Sequence, residues 1–489
     1  MKLKDLIDDK KLLAEDRSIL GLSEDSKEIK KNYIFFLKNT KKEDEKKHIL
    51  EAIDKGAAVI IYSKNKLIKN TDYIGECIFY NVPDIDKCMS QLSKIFYKSA
   101  EKNIKIYGIT GTNGKSTIIN LIAQFLELKN EKCGLIGTMG SGIHPRIKNK
   151  GLTTPNIISI NKSIKKFTDK KVNFMAMEIS SHGIYQNRIR GLSFEAAVFT
   201  NLTHDHLDFH KNMNNYFNVK LKLFTEYTSK KKIIFVDNYY GNKIYSLIKN
   251  KNKNKIKTVS LENKNADYYS SNIEYTKNGI NFLVNSKYGV KQASTNLYGE
   301  FSVTNILITI ATLVNNKADY NFFIDNIKYI KSLSGRMQKL QKKQNPIVFI
   351  DFAHTPDAIK KVLISVKKHF PENEITTIFG CGGDRDVSKR KVMGEIIDKY
   401  SNNIIVTNDN PRYENQSVIA NDIVSGIKKS SNFSIILDRR KAIKKSLNKN
   451  FSNNIILILG KGHETHQVIK NKSIILNDKD EVLKAFKLQ

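Results

Sequence analysis

Cysteine is scarce: the 489-residue chain has four, Cys77, Cys88, Cys133 and Cys381, with no CxxC pair among them. That excludes a disulfide framework and a thiolate zinc cage, and it fits reduced thiols. Long apolar runs are missing as well, since none reaches the roughly 18 residues that a membrane-spanning helix requires. The start of the chain, MKLKDLIDDKKLLAEDRSIL, lacks the apolar core of a secretory leader. A cytoplasmic protein with no membrane partner is therefore expected. Acidic residues are outnumbered, 49 against 82 Lys and Arg, for a formal net charge of +33. Taken alone, that excess suggests nucleic acid. It is mostly lysine, however, scattered in short runs such as Lys230-Lys231-Lys232 and mixed with Asn and Ile. A nucleic-acid face would concentrate arginines and interleave aromatics. No nucleic-acid partner is expected, and a polyanionic small substrate is the better match to the positive field.

Length and composition favour a folded multidomain chain. At about 150 residues per domain, 489 residues give about three domains, and no repeat of solenoid or propeller period is visible. The segments 1–103, 104–331 and 332–489 follow from the pattern. The first has short β-rich pieces, Tyr33–Leu37 and Ala57–Tyr62, and a helical stretch Met89–Ala100. The second opens on an apolar strand, Ile104–Thr110, then GTNGKS, then Thr117–Leu128 with helical spacing of Ile118, Leu121, Ile122 and Phe125. Residues 250–300 are polar and read as a peripheral excursion. The third alternates strands with helix-length stretches: Ile347–Phe352, Ile375–Phe379, Asn403–Thr407, Phe433–Leu437 and Ile455–Leu459. This predicts an α/β protein whose last domain is a doubly wound, Rossmann-like parallel sheet.

Several groups of residues point to chemistry. Gly111-Thr112-Asn113-Gly114-Lys115-Ser116, between strand and helix, offers backbone N–H groups and a helix N-terminus to a phosphate chain. Lys115 reaches the outer phosphates and the Ser116 hydroxyl suits Mg²⁺. The spacing departs from GxxxxGK[ST], since Ile109 stands where the first glycine should be. Glu178 ends the strand Val172–Met177, where a Mg²⁺ ligand belongs; the alternative is a solvated strand-end glutamate. Thr203 to His210 holds three histidines and two aspartates. Without nearby cysteine, an oxygen-rich Mg²⁺ site with one imidazole is favoured over zinc, the remaining histidines packing. The strands of the last third end in Asp351-Phe352-Ala353-His354, Gly380–Asp386, Asp409-Asn410-Pro411-Arg412 and Gly460-Lys461-Gly462-His463-Glu464. Ligands bind outside the carboxyl ends of such strands, so these loops should face one cleft.

Nine motifs carry a resemblance along nearly the whole chain: TGTNGKST, LTTPN at 152–156, MEISSHGIYQNR at 177–188, FTNLTHDHLDFH at 199–210, SGRMQ at 334–338, DFAHTPDA at 351–358, FGCGGDRD at 379–386, NDNPR at 408–412 and GKGHE at 460–464. In this order they resemble the Mur ligases, ATP-dependent amide-forming enzymes of peptidoglycan precursor synthesis, and among them the type that adds meso-diaminopimelate. The resemblance implies that 1–103 binds a UDP-substrate, 104–331 ATP and 332–489 the amino acid. It implies ATP and Mg²⁺ as cofactors, UDP-N-acetylmuramoyl-L-alanyl-D-glutamate and meso-diaminopimelate as substrates, a monomer, and an acyl-phosphate route with roles in cell wall biogenesis and division. By residue, it implies that Gly111, Thr112, Asn113, Gly114, Lys115, Ser116, Asn305, Arg336 and Asp351 hold ATP. Ser116, Glu178, His206 and Lys220, the last as a carbamate, are implied at the metal, with Lys115, His206 and Lys220 catalytic. Ser26, Thr153, Thr154, Ser180, Gln186 and Arg188 are implied for the muramoyl substrate. Arg385, Asp409, Asn410, Arg412, Gly460 and Glu464 are implied for the amino acid. Departures from the family pattern are Lys27 for arginine, Ser302 for asparagine, Gln338 for glutamate and Lys211 for glycine. Within the resemblance, L-lysine as substrate and folylpolyglutamate synthesis are the alternatives.

Overall fold

The computed structural model describes all residues except 8–16, 39–41, 64–72, 99–100, 149–150, 253–254, 343–344, 448–453 and 488–489. By the density of its internal packing the chain divides into two compact units. One comprises Met1–Gly108, Asn130–Ala196 and Lys222–Lys230; the other comprises Ile109–Lys129, Ala197–Leu221 and Lys231–Gln489.

In the first unit, the strands Gly21–Ser23, Tyr33–Leu37, Val59–Tyr62 and Cys77–Asn81 pair in parallel in that order, and Tyr73–Ile74 closes the edge antiparallel. The runs IFFL and VIIY are continuously buried, as expected of strands covered on both faces. Phe35, Ile60 and Phe79 share a core with Ile49 and Ala52 of the helix Lys42–Asp54. The expected helix over 89–100 is Ile85–Phe96 instead, beginning earlier because the Asp84 carboxylate accepts the Lys87 N–H and caps it. Ser99 and Ala100 lie outside the described residues. Further along, Phe174–Glu178 runs parallel to Cys133–Gly137, with Phe174 opposite Cys133. The helix Ile157–Asp169 starts at Asn156, whose side chain accepts the Ser159 N–H.

In the second unit, the helix Lys115–Leu128 follows the glycine-rich turn. The polar stretch 250–300 is an antiparallel ladder rather than a loose excursion. Tyr268–Thr276, Gly279–Ser286 and Gly289–Thr295 pair in sequence, beside Ile256–Ser260. Much of this ladder is exposed, so Asn, Ser and Lys occupy strand positions and mask the pattern.

The C-terminal sheet runs Gln338–Leu340, Ile347–Asp351, Ile455–Leu459, Ile375–Phe379, Asn403–Val406, Phe433–Ile435. The last five are parallel, and Gln338–Leu340 pairs antiparallel at the edge. One apolar layer joins Phe349, Leu457 and Val406 to Leu363, Met393 and Ile423 of the helices Pro356–His369, Lys389–Tyr400 and Gln416–Val424. The other joins Ile350 and Ile458 to Ile443 and Phe486 of Arg439–Ser446 and Asp478–Lys487. The sheet is thus doubly wound, as expected. Because Ile455–Leu459 inserts between Ile347–Asp351 and Ile375–Phe379, the loop after it lies beside those after the strands on either side. The hairpin His466–Ile469 with Lys472–Ile475 was not anticipated.

Candidate active site

The phosphate-type loop is braced by the strand-end segment that follows Phe194–Phe199. Thr112 N–H donates to the Asn201 carbonyl at 2.9 Å, Asn113 N–H to Asn201 Oδ1 at 2.9 Å, and Thr203 N–H to Thr112 Oγ1 at 3.0 Å. Gly114 has φ +90° and caps the helix Lys115–Leu128. A Cβ there would lie 2.8 Å from Asn305 Oδ1. Glycine is required on both counts. Lys115 Nζ donates to the carbonyls of Gly111 and Thr112, each at 2.8 Å, so its ammonium folds over its own loop. Ser116 is buried in the first turn. Beside the loop, Asn305, Arg336, Tyr298, Phe301, Leu121 and Met337 line a cleft. Asp351 is buried, and its carboxylate accepts the N–H groups of Met337 at 2.7 Å and Ala353 at 2.8 Å. Burial raises its pKa, partly offset by Arg336 and those N–H groups.

Lys220, on the helix Met213–Thr225, is 1% exposed. Its Nζ donates to the Gly111 carbonyl at 3.1 Å and Thr110 Oγ1 at 3.4 Å, over the ring of Tyr216. Burial, then the nearby charge of Lys115, holds its pKa well below that of ordinary lysine, with Asp205 opposing. A deprotonated amine facing the phosphate loop is the form that reacts with CO₂. His206 has φ +55° and places Nε2 3.3 Å from Asp205 Oδ2. Burial alone would raise Asp205, but His206, His354, Lys389 and Lys115 around it bring its carboxyl below the usual value. Among the described residues no three His, Cys, Asp or Glu side chains gather in a metal-holding group. A hydroxyl, an imidazole and a carbamate oxygen fit a hard cation bound largely through phosphates and water.

The four loops of the C-terminal sheet converge. Asn410 Nδ2 donates to Glu464 Oε2 at 2.8 Å, joining the Asp409–Arg412 loop to the Gly460–Glu464 loop. Arg412 has φ +52°, and its Nη1 donates to the Gly383 carbonyl at 2.6 Å, reaching the Gly380–Asp386 loop. Asp409 is buried, and burial lifts its pKa to about 6 against the pull of Arg439 and Lys461. Gly460, at φ +107°, lies over the Asp409 carboxylate. Arg385 is exposed. The Gly380–Asp386 loop also meets the segment after the phosphate loop, His204 Nε2 standing 3.1 Å from Asp386 Oδ2. Buried cations hold this edge together. Arg390 pairs with Glu414 and Asp422, and Arg439 pairs with Asp478 while donating to the carbonyls of Asn408 and Leu459.

In the first unit, Glu178 is fully buried, which overturns the alternative of a solvated strand end. Its carboxylate accepts Thr138 N–H at 2.8 Å and Thr138 Oγ1–H at 3.1 Å. Thr154 is also buried, its hydroxyl donating to the Glu178 carbonyl and accepting Ser180 N–H, both at 2.9 Å. Ser180 caps the helix Ser181–Tyr185 through the Gly183 N–H. Arg188 donates to the Thr154 carbonyl at 2.8 Å and to Gln186 Oε1, and Thr153 Oγ1 lies 3.2 Å from Thr138 Oγ1. These residues therefore form one loop cluster. Ser26 stands apart in it: its buried hydroxyl donates to Glu51 at 2.7 Å and lies 2.9 Å from His48 Nδ1. The sequence reading passed over Thr138, Asn201, Lys461 and Arg439. Asn201 and Lys461 carried a signal, their places inside FTNLTHDHLDFH and GKGHE.

A phosphate loop, packed in one compact unit with a doubly wound sheet whose loops converge on one edge, defines a nucleotide-dependent α/β enzyme. Residues 109–313 match the Mur ligase middle domain and residues 335–462 the Mur ligase, glutamate ligase domain. The chain is 40% identical over 463 residues to the UDP-N-acetylmuramoyl-L-alanyl-D-glutamate–2,6-diaminopimelate ligase of Wigglesworthia glossinidia brevipalpis, covering 93% of this chain and 92% of that relative. It is 35% identical over 488 residues to the protein of the same name from Haemophilus influenzae (strain 86-028NP), covering 97% and 98%. A solved structure of a ligase with that name matches with a TM-score of 0.71 at 29% identity, over 100% of this chain and 99% of the other. The chain belongs to the Mur ligase family.

Proposed function

We propose that this chain is the ATP-dependent ligase that joins meso-2,6-diaminopimelate to the D-glutamyl γ-carboxylate of UDP-N-acetylmuramoyl-L-alanyl-D-glutamate, in peptidoglycan precursor synthesis. The observation that carries the reading is the packing, in one unit, of the Lys115 phosphate loop with the Asp409–Arg412 and Gly460–Glu464 loops. A kinase-like half and an amine-binding half are what acyl activation followed by aminolysis requires.

A carboxylate is a poor acyl donor. Its oxygen first takes the terminal phosphoryl group of ATP, forming an acyl phosphate and ADP. The amine then adds to the carbonyl carbon, and the tetrahedral intermediate expels phosphate and loses a proton. The protein's work is positioning and charge neutralisation. The loop N–H groups of 111–116 and the ammonium of Lys115 hold the phosphates, and Asn305, Arg336 and Asp351 hold the nucleoside. Ser116, Glu178, His206 and Lys220 as its carbamate would hold Mg²⁺, which when bound neutralises phosphate oxygens. Ser26, Thr153, Thr154, Ser180, Gln186 and Arg188 orient the muramoyl dipeptide. Arg385 and Arg412 take carboxylates of the amino acid, Asn410 standing beside Arg412 as a neutral donor, and Asp409, Gly460 and Glu464 receive its amine. On this reading residues 1–103, 104–331 and 332–489 act as UDP-substrate, ATP and amino-acid domains of a cytoplasmic monomer. Among the described residues no helix is long and apolar enough to cross a membrane.

The test is ADP release by the purified protein with the UDP-muramoyl dipeptide and a panel of amino acids. Turnover that requires the UDP-substrate and is greatest with meso-diaminopimelate is expected. A preference for L-lysine would overturn the choice of amino acid, and turnover indifferent to the UDP-substrate would overturn the reaction.

A further inference from the structure

Lys461 occupies the turn after the strand Ile455–Leu459, and its side chain is wholly buried. Its ammonium has three hydrogens and three acceptors: the His466 carbonyl at 2.7 Å, Glu464 Oε2 at 2.8 Å and Asn410 Oδ1 at 3.3 Å. With each hydrogen engaged and no exposed surface, this cation is not built to touch a ligand. Its two side-chain partners, however, are groups assigned above to the amino acid.

The orientation of the Asn410 amide follows from the same contacts. Its Oδ1 accepts both Lys461 and the Val468 N–H, the latter at 2.9 Å, while Nδ2 donates to Glu464 Oε2. A flipped amide would set NH₂ against an ammonium and an N–H, and its oxygen against a carboxylate. Backbone contacts from the same hairpin hold the rest of the loop: Gln467 Nε2 donates to the Asp409 carbonyl at 2.6 Å and Arg412 N–H to the Val468 carbonyl at 3.0 Å.

We propose that Lys461 is a positioning residue for the amino-acid substrate, holding the Glu464 carboxylate in place without contacting the substrate. The proposal rests on the reading that Glu464 and Asn410 receive that substrate. Glu464 is mostly buried, which alone would raise its pKa, yet the cation and amide beside it bring it below the usual carboxylate value. The charged and titratable groups around it are Lys461 and His463 on its own loop, Asp409 on the neighbouring strand end and Arg439 on the helix Arg439–Ser446. Without Lys461, the largest influence that opposes burial is gone and the Glu464 carboxyl shifts upward. An ammonium substrate would then meet a carboxyl that is more readily protonated and no longer held in place.

The experiment measures KM for meso-diaminopimelate, ATP and the UDP-substrate from pH 6.5 to 8.5 in wild type, Lys461→Met, Glu464→Gln and the double variant. Lys461→Met is expected to raise KM for the amino acid about tenfold or more at pH 7, with a KM that falls as pH rises. The other two KM values should stay within about twofold. In the Glu464→Gln background, adding Lys461→Met should change KM little, because the group it acts through is gone. Should Lys461→Met fail to fold, the pair of Glu464→Gln and the double variant carries the test, since the double leaves no lone charge buried. A large further rise in KM in the double variant, or a rise of all three KM values with no pH dependence in Lys461→Met, overturns the proposal. If Glu464→Gln itself leaves the amino-acid KM unchanged, the site assignment falls, and this inference with it. If Glu464→Gln raises KM and Lys461→Met does not, the role of Lys461 alone falls.

Discussion

Two groups of cations in the second unit are handled in different ways. Near the phosphate loop, the hydrogen bonds of Lys115 and Lys220 go to the carbonyls of Gly111 and Thr112 and to a threonine hydroxyl. On the C-terminal sheet edge, Arg390, Arg439 and Lys461 donate to carboxylates of Glu414, Asp422, Asp478 and Glu464. Lone buried charge costs free energy, and matched charge costs much less. The phosphate loop instead holds its lysines by carbonyls and a hydroxyl, with Asp205 as the carboxylate whose charge acts on both. The sheet edge neutralises its own charge, so its cations build the loops while the exposed Arg385 and partly exposed Arg412 remain to meet a substrate. Burial of a cation says little about function until its partners are known.

The largest expected effect tests the built side of this contrast. Arg439 and Asp478 are both 0% exposed. Arg439→Met leaves Asp478 buried without its partner and frees the carbonyls of Asn408 and Leu459, so it should cost about 3–5 kcal/mol of stability by denaturant titration. Arg439→Met combined with Asp478→Leu should recover most of that loss. Recovery of none would mean that the carbonyl contacts dominate.

On the other side, Lys115→Ala should lower ATP turnover by about 10²–10³-fold and leave the melting temperature nearly unchanged, because Lys115 is only partly buried and donates to carbonyls of its own loop. Turnover near wild type would break the assignment of the phosphate loop, and a large loss of stability would break the contrast. Lys220→Ala should be comparably impaired and partly restored by acetate, which supplies an anionic oxygen where the carbamate stood. Full activity would make Lys220 a packing residue.

Much of this contrast was legible in the residues beforehand, and the missing part has a physical cause. The phosphate loop and the four strand-end loops could be read because glycine, proline and clustered polar residues break apolar periodicity locally. The cations that neutralise the sheet edge could not, because their partners are distant in the chain: Arg390 from Glu414, and Arg439 from Asp478. No local pattern records such a pairing. Thr138 was equally silent, since its role comes from a parallel register that sets Cys133–Gly137 beside Phe174–Glu178. The ladder between 268 and 295 was missed for another reason: its outward positions carry Asn, Ser and Lys, which mimic a loop.

Arg412 tests whether the sheet edge is also a ligand site. Its Nη1 donates to the Gly383 carbonyl, and its backbone is fixed by Val468 and Lys470. Arg412→Ala should lower kcat/KM for meso-diaminopimelate by roughly 30-fold, with little change in the KM for ATP, as loss of a charge-assisted carboxylate pair implies. A variant that keeps its preference for diaminopimelate would return Arg412 to the class of building cations.

The smallest effect probes the one carboxylate that the sheet edge leaves imperfectly matched. Asp409 is buried beneath Gly460, and its pKa of about 6 lies above the ordinary 3.8. A carboxyl group with a raised folded-state pKa contributes stability that is complete below about pH 4 and disappears as pH rises through about 6. Asp478, by contrast, has both oxygens engaged by one guanidinium. Asp409→Asn mimics the protonated acid, so its melting temperature should match wild type at about pH 4 and exceed it by about 1–3 °C at pH 7.5. If the difference between the two proteins does not vary with pH, Asp409 is neutralised as completely as Asp478. If the variant is instead less stable at pH 7.5 by a similar margin, Arg439 and Lys461 outweigh burial at Asp409, and the whole edge is built of matched charge.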